Sequence, residues 1–295
     1  MNVKALLVVL FCMSTAIKAN HDKADMIIFS FDRPLQLYAL LESVKTNVSG
    51  VDTVTVVYRT SSDEFDYAYK LIHDSFKEAR FVKQGTQPRE DFKPLTLAAI
   101  NNSPNKYVIF AVDDNIVKDH VDLDYCIHAM KKHHAYGVYL RLGFNTDFCY
   151  TMNQAQSIPV HYPLESGLYA WQFCNGTCDW GYPNTVDLTL FKKSDIINTL
   201  ESLSFYSPNV LENAWAATSA SVATRIGLFF AQSKIVNLPL NIVQQDWHNR
   251  NQQELLPEDQ LALFFENKKI DLTPLHQIEN KSPHMEYCPT FVDRT

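Results

Sequence analysis

The sequence predicts an α/β domain in which helices flank a mostly parallel central sheet. Short apolar runs alternate with amphipathic stretches from residue 24 to about residue 137, an order typical of strand–helix–strand units. The run Tyr107–Val112 is apolar throughout, as expected for a strand buried on both faces of a parallel sheet. Beyond that point strand-like pieces mix with loops rich in Asn, Pro and aromatic residues, so we expect a mixed second half.

The first half begins with an apolar strand and a helix whose start is marked by a proline. Pro34 suits the first turn of a helix. Leu37, Leu40 and Val44 then give that helix an apolar face. The predicted elements are, in order, a strand at 26–31, a helix from Pro34, a strand at 54–58, a helix capped by Ser62 or Asp63, a strand at 81–82, a helix at 95–100 and a strand at 107–112.

The second half contains strand-like and helix-like segments in a less regular order. Strands are predicted at 138–142, 169–173 and 229–236, and helices at 194–203 and 209–220. No internal repeat, low-complexity tract or long linker separates the two halves. The sequence therefore predicts one domain over residues 20–295.

Composition and charge exclude several classes of function. Glycine is scarce, with 8 residues in 295, and the glycine motifs of dinucleotide-binding, P-loop and α/β-hydrolase sites do not occur. The net charge is −7, with no basic stripe of the kind that binds nucleic acid. A nucleotide or phosphate ligand would therefore have to be held without a glycine cradle.

The N-terminus is typical of a secretory signal peptide at residues 1–19. Lys4 precedes an apolar stretch at 5–17, and Ala19 ends a small-residue cleavage site. We therefore expect a secreted or periplasmic protein with no stable membrane span after cleavage; a retained N-terminal anchor is the alternative. In an exported protein the Cys174–Cys178 spacing favours a local disulfide over a zinc site.

Polar residues mark three of the predicted strand ends, where open α/β sheets bind their ligands. These are Asp32-Arg33, Arg59 and Asp113-Asp114-Asn115. Two adjacent carboxylates and an amide directly after a buried strand form an oxygen-rich patch that suits Mg²⁺ or Mn²⁺. The alternative is a turn or helix cap, since Asp and Asn are favoured in both.

These features together resemble glycosyltransferases of the A-type fold, particularly those similar to family 2. The resemblance covers about residues 25–250 and is carried by Ile27–Pro34, the strand into Asp113-Asp114-Asn115, Tyr139–Gly143, Asp179–Pro183 and Val186-Asp187. It implies a nucleotide-binding half at 24–120, an acceptor half at 121–250 and a C-terminal extension at 251–295. The donor would be a nucleotide-sugar, and the acceptor a carbohydrate or glycoconjugate.

The resemblance also assigns candidate site residues. Phe31, Asp32, Arg33 and Arg59 would lie near the nucleoside, and Asp113, Asp114 and Asn115 match the acidic motif that binds a divalent ion bridging the diphosphate. Where that motif often has Asp, this chain has Asn115, so ligation could rest on Asp114. Two further candidates are Arg141, which would contact phosphate or form a salt bridge, and His248, a late metal ligand or a packing residue.

One carboxylate of the acceptor half would act as general base in an inverting enzyme. Glu212 is the first candidate because it lies near the start of a helix beside a Pro-Asn turn, with Asp187 and Asp179 as competitors. The alternative for Glu212 is stabilisation of the helix start.

The predicted function is therefore metal-assisted transfer of a sugar, of hexosyltransferase type, from a nucleotide-diphospho-sugar to an acceptor hydroxyl. The first alternative is a non-catalytic carbohydrate-binding or scaffold protein on the same fold, which export favours because activated nucleotide sugars are scarce outside cells. A nucleotidyltransferase-like enzyme, which also uses paired acids with metal, is the second.

Overall fold

The computed structural model describes residues 22–243 and 255–294. The signal peptide predicted at 1–19 and His248 lie outside these ranges, and export stays a prediction. Among the described residues, we find no helix with both the length and the apolar character that a membrane crossing requires.

A nine-stranded sheet forms the centre of the fold. Numbered in chain order within this sheet, its strands are β1 Ala24–Phe31, β2 Val51–Arg59, β3 Ala79–Lys83, β4 Tyr107–Val112, β5 Gly137–Tyr139, β6 His161–Pro163, β7 Leu168–Gln172, β8 Thr189–Lys192 and β9 Ile226–Phe230. Their spatial order is β6-β7-β9-β5-β8-β4-β1-β2-β3. The predicted α/β class is confirmed.

The sheet is mixed, and the change of direction divides it near its middle. Strands β4, β1, β2 and β3 are parallel neighbours, as the alternating order of the first half predicts. β8 then pairs antiparallel with both β4 and β5, and of the remaining pairs only β5–β9 is parallel. The mixed second half expected from the sequence is therefore present.

Helices cover both faces of this sheet. In the described residues they are α1 Pro34–Asn47, α2 Asp63–Ser75, α3 Pro88–Asn101, α4 Leu123–His133, α5 Lys193–Ser202, α6 Pro208–Ala216 and α7 Pro257–Phe265. α1 begins at Pro34 as predicted, and Ser62 caps α2 by accepting a hydrogen bond from the Phe65 amide. The division of the domain at residues 120 and 250 stays a prediction.

Four two-stranded pairs lie outside the central sheet in the described residues. They join Val48–Ser49 with Val121–Asp122, Phe148–Cys149 with Gln154–Ala155, Asn115–Val117 with Ile235–Asn237, and Lys268–Ile270 with Phe291–Asp293. The pair at 115–117 brings the chain beyond residue 235 next to the end of β4. This proximity positions several residues of the site.

Alternate side chains of β1 point into two separate cores. Met26 and Ile28 pack with α1, α2, α4 and α7, whereas Ile27 and Phe29 pack with α3, α5 and α6. A strand buried on both faces must be apolar at successive positions, which is why β1 and β4 read as continuous apolar runs.

Three features differ from the sequence-based expectations. α3 begins seven residues before the predicted 95, because Pro88 starts it and Pro94 is tolerated inside it. The predicted strand at 229–236 is divided between β9 and Ile235–Asn237. Cys174 and Cys178 are free thiols, so the local disulfide expected for an exported protein is absent from the structure.

Gly227 in β9 lies against the aromatic core. A Cβ there would come within 2.5 Å of Cη2 of Trp171 and 2.7 Å of Cε1 of Phe173, both in buried rings. We expect Gly227→Ala to lower the free energy of unfolding by about 1–3 kcal/mol, because packed rings resist displacement. Urea denaturation measures this difference; an unchanged midpoint would show that the rings can shift.

Candidate active site

A cleft of about 730 Å³ opens at the carboxyl ends of β1, β2 and β4. This is the edge at which open α/β sheets bind ligands. Seven of the residues predicted from the sequence line it: Phe31, Arg33, Arg59, Asp113, Asp114, Asp187 and Glu212. The parallel half of the sheet thus collects the marked strand ends, and the second half adds two further carboxylates.

Asp113 lines the cleft and comes directly after β4. One carboxylate oxygen accepts hydrogen bonds from Ser30 Oγ (2.8 Å) and from the Phe31 backbone N–H (3.1 Å). The other accepts from Nη1 of Arg33 at 2.9 Å. The side chain is only 4% exposed. Asp113 therefore joins the ends of β1 and β4.

Arg33 follows β1 after a sharp turn in which Asp32 is left-handed, with φ 51°. Its Nη1 also donates to Oδ2 of Asp114 at 3.2 Å. Nε donates to Oδ1 of Asn241 (2.7 Å) and Nη2 to the Asn241 carbonyl (2.6 Å). One guanidinium is thus held between two carboxylates on one side and an Asn on the other.

Asp114 is the second acid at this strand end. Its Oδ1 accepts a hydrogen bond from Nδ2 of Asn237 at 3.0 Å. Burial raises the pKa of Asp114 to about 6, against the opposing effect of Arg33 and with help from the charges of Asp113 and Asp187.

Glu212 projects from α6, a helix started by Pro208 and capped by Ser207, whose Oγ accepts from the Val210 amide. Its Oε1 accepts hydrogen bonds from Thr185 Oγ1 (2.5 Å) and the Val186 N–H (3.0 Å). Burial raises the pKa of Glu212 to about 7, and the nearby carboxylate of Asp187 adds to this rise.

Asp187 lies near both Asp114 and Glu212, and its charge raises the pKa of each. Its Oδ1 accepts from Nδ2 of Asn115 at 3.3 Å, and its Oδ2 lies 3.9 Å from Nε2 of His284. His284 stacks on Tyr150, with ring centroids 6.0 Å apart and an angle of 17° between the rings. His284 lies beyond residue 250, where the sequence predicts no site residue.

Aromatic and guanidinium groups face one another on the β2 side of the cleft. The Arg59 guanidinium lies 3.7 Å from the centroid of the Phe31 ring, and the Arg89 guanidinium 4.7 Å from that of Tyr206. A neighbouring cavity of about 550 Å³ shares Phe31, Arg59 and Gln84 with the main cleft. Arg89 and Tyr206 carried no signal in the sequence beyond their residue type.

Three predicted site residues do not line the cleft. Asp32 accepts a hydrogen bond from the Ser61 amide at 2.9 Å and is buried. Asn115 is fully buried, with its Oδ1 accepting from the Val112 amide. Arg141 forms a buried ion pair with Asp179 (3.3 Å), which is the salt-bridge alternative for this residue. We therefore propose no direct ligand contact for any of these three residues.

The residues present do not fit the predicted Mn²⁺ or Mg²⁺ as they are arranged. All four oxygens of Asp113 and Asp114 already accept hydrogen bonds, two of them from Arg33. Across residues 22–243 and 255–294 no three His, Cys, Asp or Glu side chains are grouped so that they could hold a metal ion. A divalent cation at these carboxylates would lie beside the positive charge of the Arg33 guanidinium, which opposes its binding.

No protein-family model matches the chain. Among curated proteins, the chain is similar to the bifunctional glycosyltransferase pgtA of Dictyostelium discoideum, with 27% identity over 199 residues. That match confirms the predicted resemblance to glycosyltransferases. It covers 61% of this chain but only 25% of pgtA, so the chain spans about a quarter of that relative.

Solved structures with a similar arrangement include two that carry nucleotides. One is S. aureus TarS 1–349 in complex with UDP (11% identity, TM-score 0.46, 71% of this chain and 58% of that chain). The other is the mannosyltransferase PcManGT from Pyrobaculum calidifontis in complex with GDP-Man and Mn²⁺ (10% identity, TM-score 0.39, 69% and 53%).

Proposed function

We propose that this protein transfers a sugar from a nucleotide-diphospho-sugar to a hydroxyl group of a carbohydrate or glycoconjugate acceptor. The observation that carries the proposal is that Glu212, a carboxylate with a pKa near 7, lines the same cleft as the Arg33–Asp113–Asp114 cluster. The similarity to pgtA supports the same class of reaction.

The β2 side of the cleft suits the donor. Flat rings and guanidinium planes such as Phe31 and Arg59 can stack on a nucleoside base. Guanidinium groups also match the oxygen geometry of phosphates. We therefore place the nucleoside beside Arg59 and the diphosphate toward Arg33, with the sugar facing Asp187 and Glu212.

Glu212, from the half of the domain that we assign to the sugar acceptor, is the general base. The ionised carboxylate of Glu212 takes the proton of the acceptor hydroxyl, and the acceptor oxygen forms a bond to the anomeric carbon of the donor. The bond between that carbon and the diphosphate oxygen breaks, and the nucleoside diphosphate leaves with the electron pair. A base with a pKa near 7 suits this step at neutral pH.

A thermal-shift experiment with uridine and guanosine diphosphates tests donor binding. At a ligand concentration of about 100 times Kd, binding adds about 2.7 kcal/mol to the stability of the folded protein, so we expect Tm to rise by several degrees. Uridine and guanosine serve as controls that lack the diphosphate. Release of the nucleoside diphosphate from the matching sugar donor, measured with an acceptor mixture, then tests transfer.

Two results would contradict the proposal. One is the absence of any shift with either diphosphate, with or without Mn²⁺. The other is a rise in Tm with oligosaccharides but with neither diphosphate, which would indicate the carbohydrate-binding alternative.

A further inference from the structure

We propose that the guanidinium of Arg33 supplies the positive charge that holds the donor diphosphate, so that this protein binds its donor without a divalent cation. The inference rests on the proposed function and concerns the same cleft. It departs from the metal-assisted reaction expected from the sequence.

The geometry at the end of β4 carries this inference. Nη1 of Arg33 lies 2.9 Å from Oδ1 of Asp113 and 3.2 Å from Oδ2 of Asp114. One cation therefore bridges the two adjacent carboxylates, as a divalent metal would if it used the same residues. The three side chains are 11%, 4% and 13% exposed, so little water competes with these contacts.

The remaining carboxylate oxygens are also occupied by donors that belong to the fold. Ser30 Oγ and the Phe31 amide hold Asp113, and Nδ2 of Asn237 holds Asp114. These donors come from β1 and from the strand Ile235–Asn237, whose positions are set by backbone pairing. These donors leave fewer oxygen lone pairs for a metal ion, and a metal ion that used them would lie beside the positive charge of Arg33.

Arg33 is itself fixed in place. Nε and Nη2 donate to the side chain and the carbonyl of Asn241, at 2.7 and 2.6 Å. A guanidinium has five N–H donors in a rigid fork. Four are accounted for by contacts among the described residues. The charge is thus preorganised at the edge of the cleft, where a preorganised cation stabilises the negative charge of a leaving diphosphate.

Two other arginines, Arg59 and Arg89, line the same cleft. With Arg33 they give three guanidinium groups at the cleft, and guanidinium groups match the oxygen geometry of phosphates. The chain itself therefore places cationic groups on the side of the cleft where we place the diphosphate.

Calorimetric titration of the full-length wild-type protein with uridine and guanosine diphosphates tests the inference. One titration is done in EDTA and one with Mn²⁺ or Mg²⁺. For whichever diphosphate binds, we expect the affinity measured in EDTA and the affinity measured with the metal ion to agree within about twofold. This comparison needs no variant and is independent of any folding defect.

The Arg33→Gln variant adds a readout that a merely structural role would not give. In EDTA we expect its affinity for the diphosphate to fall about tenfold or more, because charge-assisted contacts to phosphate are lost. With Asp113 and Asp114 released, Mn²⁺ should restore much of the affinity, making the variant metal-dependent. Arg80→Gln, at an exposed arginine of β3, is the matched control and should behave as wild type.

The outcomes separate this inference from the function on which it rests. Wild-type binding that appears only with Mn²⁺ or Mg²⁺ would overturn the role of Arg33 and leave the transferase proposal standing. No binding under any condition would overturn both. Metal-independent wild-type binding that Arg33→Gln leaves unchanged would also overturn the inference.

Discussion

The Glu212→Gln variant is expected to lose about 10²–10⁴-fold in kcat, the usual contribution of a general base. Gln has nearly the same size and can still accept the hydrogen bonds from Thr185 Oγ1 and the Val186 amide. It cannot take the proton of the acceptor hydroxyl. Because Glu212 faces the sugar rather than the diphosphate in our proposal, affinity for the nucleoside diphosphate should change little.

Steady-state kinetics and calorimetric titration of the same preparation check both parts of this prediction. Glu201→Gln, at an exposed position at the end of α5, controls for the removal of a carboxylate from the surface. Asp187→Asn tests the competing base. If Asp187→Asn abolishes turnover while Glu212→Gln retains it, the base is Asp187 and our assignment is wrong.

The pH dependence of kcat follows from the pKa of Glu212. Burial, with Asp187 adding to it, raises that pKa to about 7, so the carboxylate is protonated and inactive as a base at lower pH. We therefore expect kcat to rise as the pH increases through about 7. The residual kcat of Glu212→Gln should not show this rise. A wild-type profile that is flat between about pH 6 and 8 would contradict the role of Glu212.

The same pKa has a consequence for stability. In the unfolded chain Glu212 ionises near its ordinary pKa of about 4.3, whereas the folded protein keeps the proton up to about pH 7. The folded state thus binds more protons in this range, and stability falls as the pH rises through it. Glu212→Gln has no such group, so it should be at least as stable as wild type above pH 7. Lost activity in that variant would not then reflect unfolding.

The fold could be predicted where local pattern decides structure. The apolar runs of β1 and β4 and the proline at Pro34 are local signals, and the structure confirms each of them. The insertion of β8 between β4 and β5 depends on pairing between residues 50 or more positions apart along the chain. No local periodicity encodes such a pairing, so only a mixed second half could be expected.

The site could be predicted only in part, for the same reason. Asp113 and Asp114 follow a recognisable strand and Asp187 comes two residues before β8, so their positions carried a signal, whereas Glu212 lies at the centre of α6. His284 reaches the cleft because the C-terminal chain returns beside Asn237, which its own sequence does not indicate. Asn115 turns inward because its amide satisfies the Val112 N–H at the end of β4.

Breaking the buried ion pair between Lys193 and Asp25 should strongly lower the stability of the folded domain. Nζ of Lys193 donates to Oδ2 of Asp25 at 2.7 Å and to the Ile100 carbonyl at 2.8 Å. The two side chains are 11% and 2% exposed. Lys193→Met would leave a buried carboxylate without its cation, which costs about 3–5 kcal/mol of the free energy of unfolding. Urea denaturation at neutral pH measures this loss.

The pH dependence of this deficit identifies its cause. Burial by itself raises the pKa of Asp25, but hydrogen bonds from Lys193, Thr53 and Asn105 outweigh it and hold the pKa below its usual value. In wild type this stabilisation is present above the unfolded pKa of about 3.9 and is lost as the pH falls through the lower folded pKa. Without Lys193 the carboxylate can be neutralised by a proton, so the difference between variant and wild type should narrow in acid.

Two further variants separate the ion pair from simple loss of side-chain packing. Lys192→Met changes the exposed neighbour of Lys193 at the end of β8 and should alter stability by less than about 0.5 kcal/mol. The double variant Asp25→Asn/Lys193→Met keeps a polar partner for Asn105 and carries no buried charge, so it should recover much of the loss. If the double variant is as unstable as Lys193→Met at neutral pH, the deficit comes from the contacts of the lysine stem and from its bond to the Ile100 carbonyl. Lys193 would then join the start of α5 to the end of α3 by packing, and its charge would contribute little.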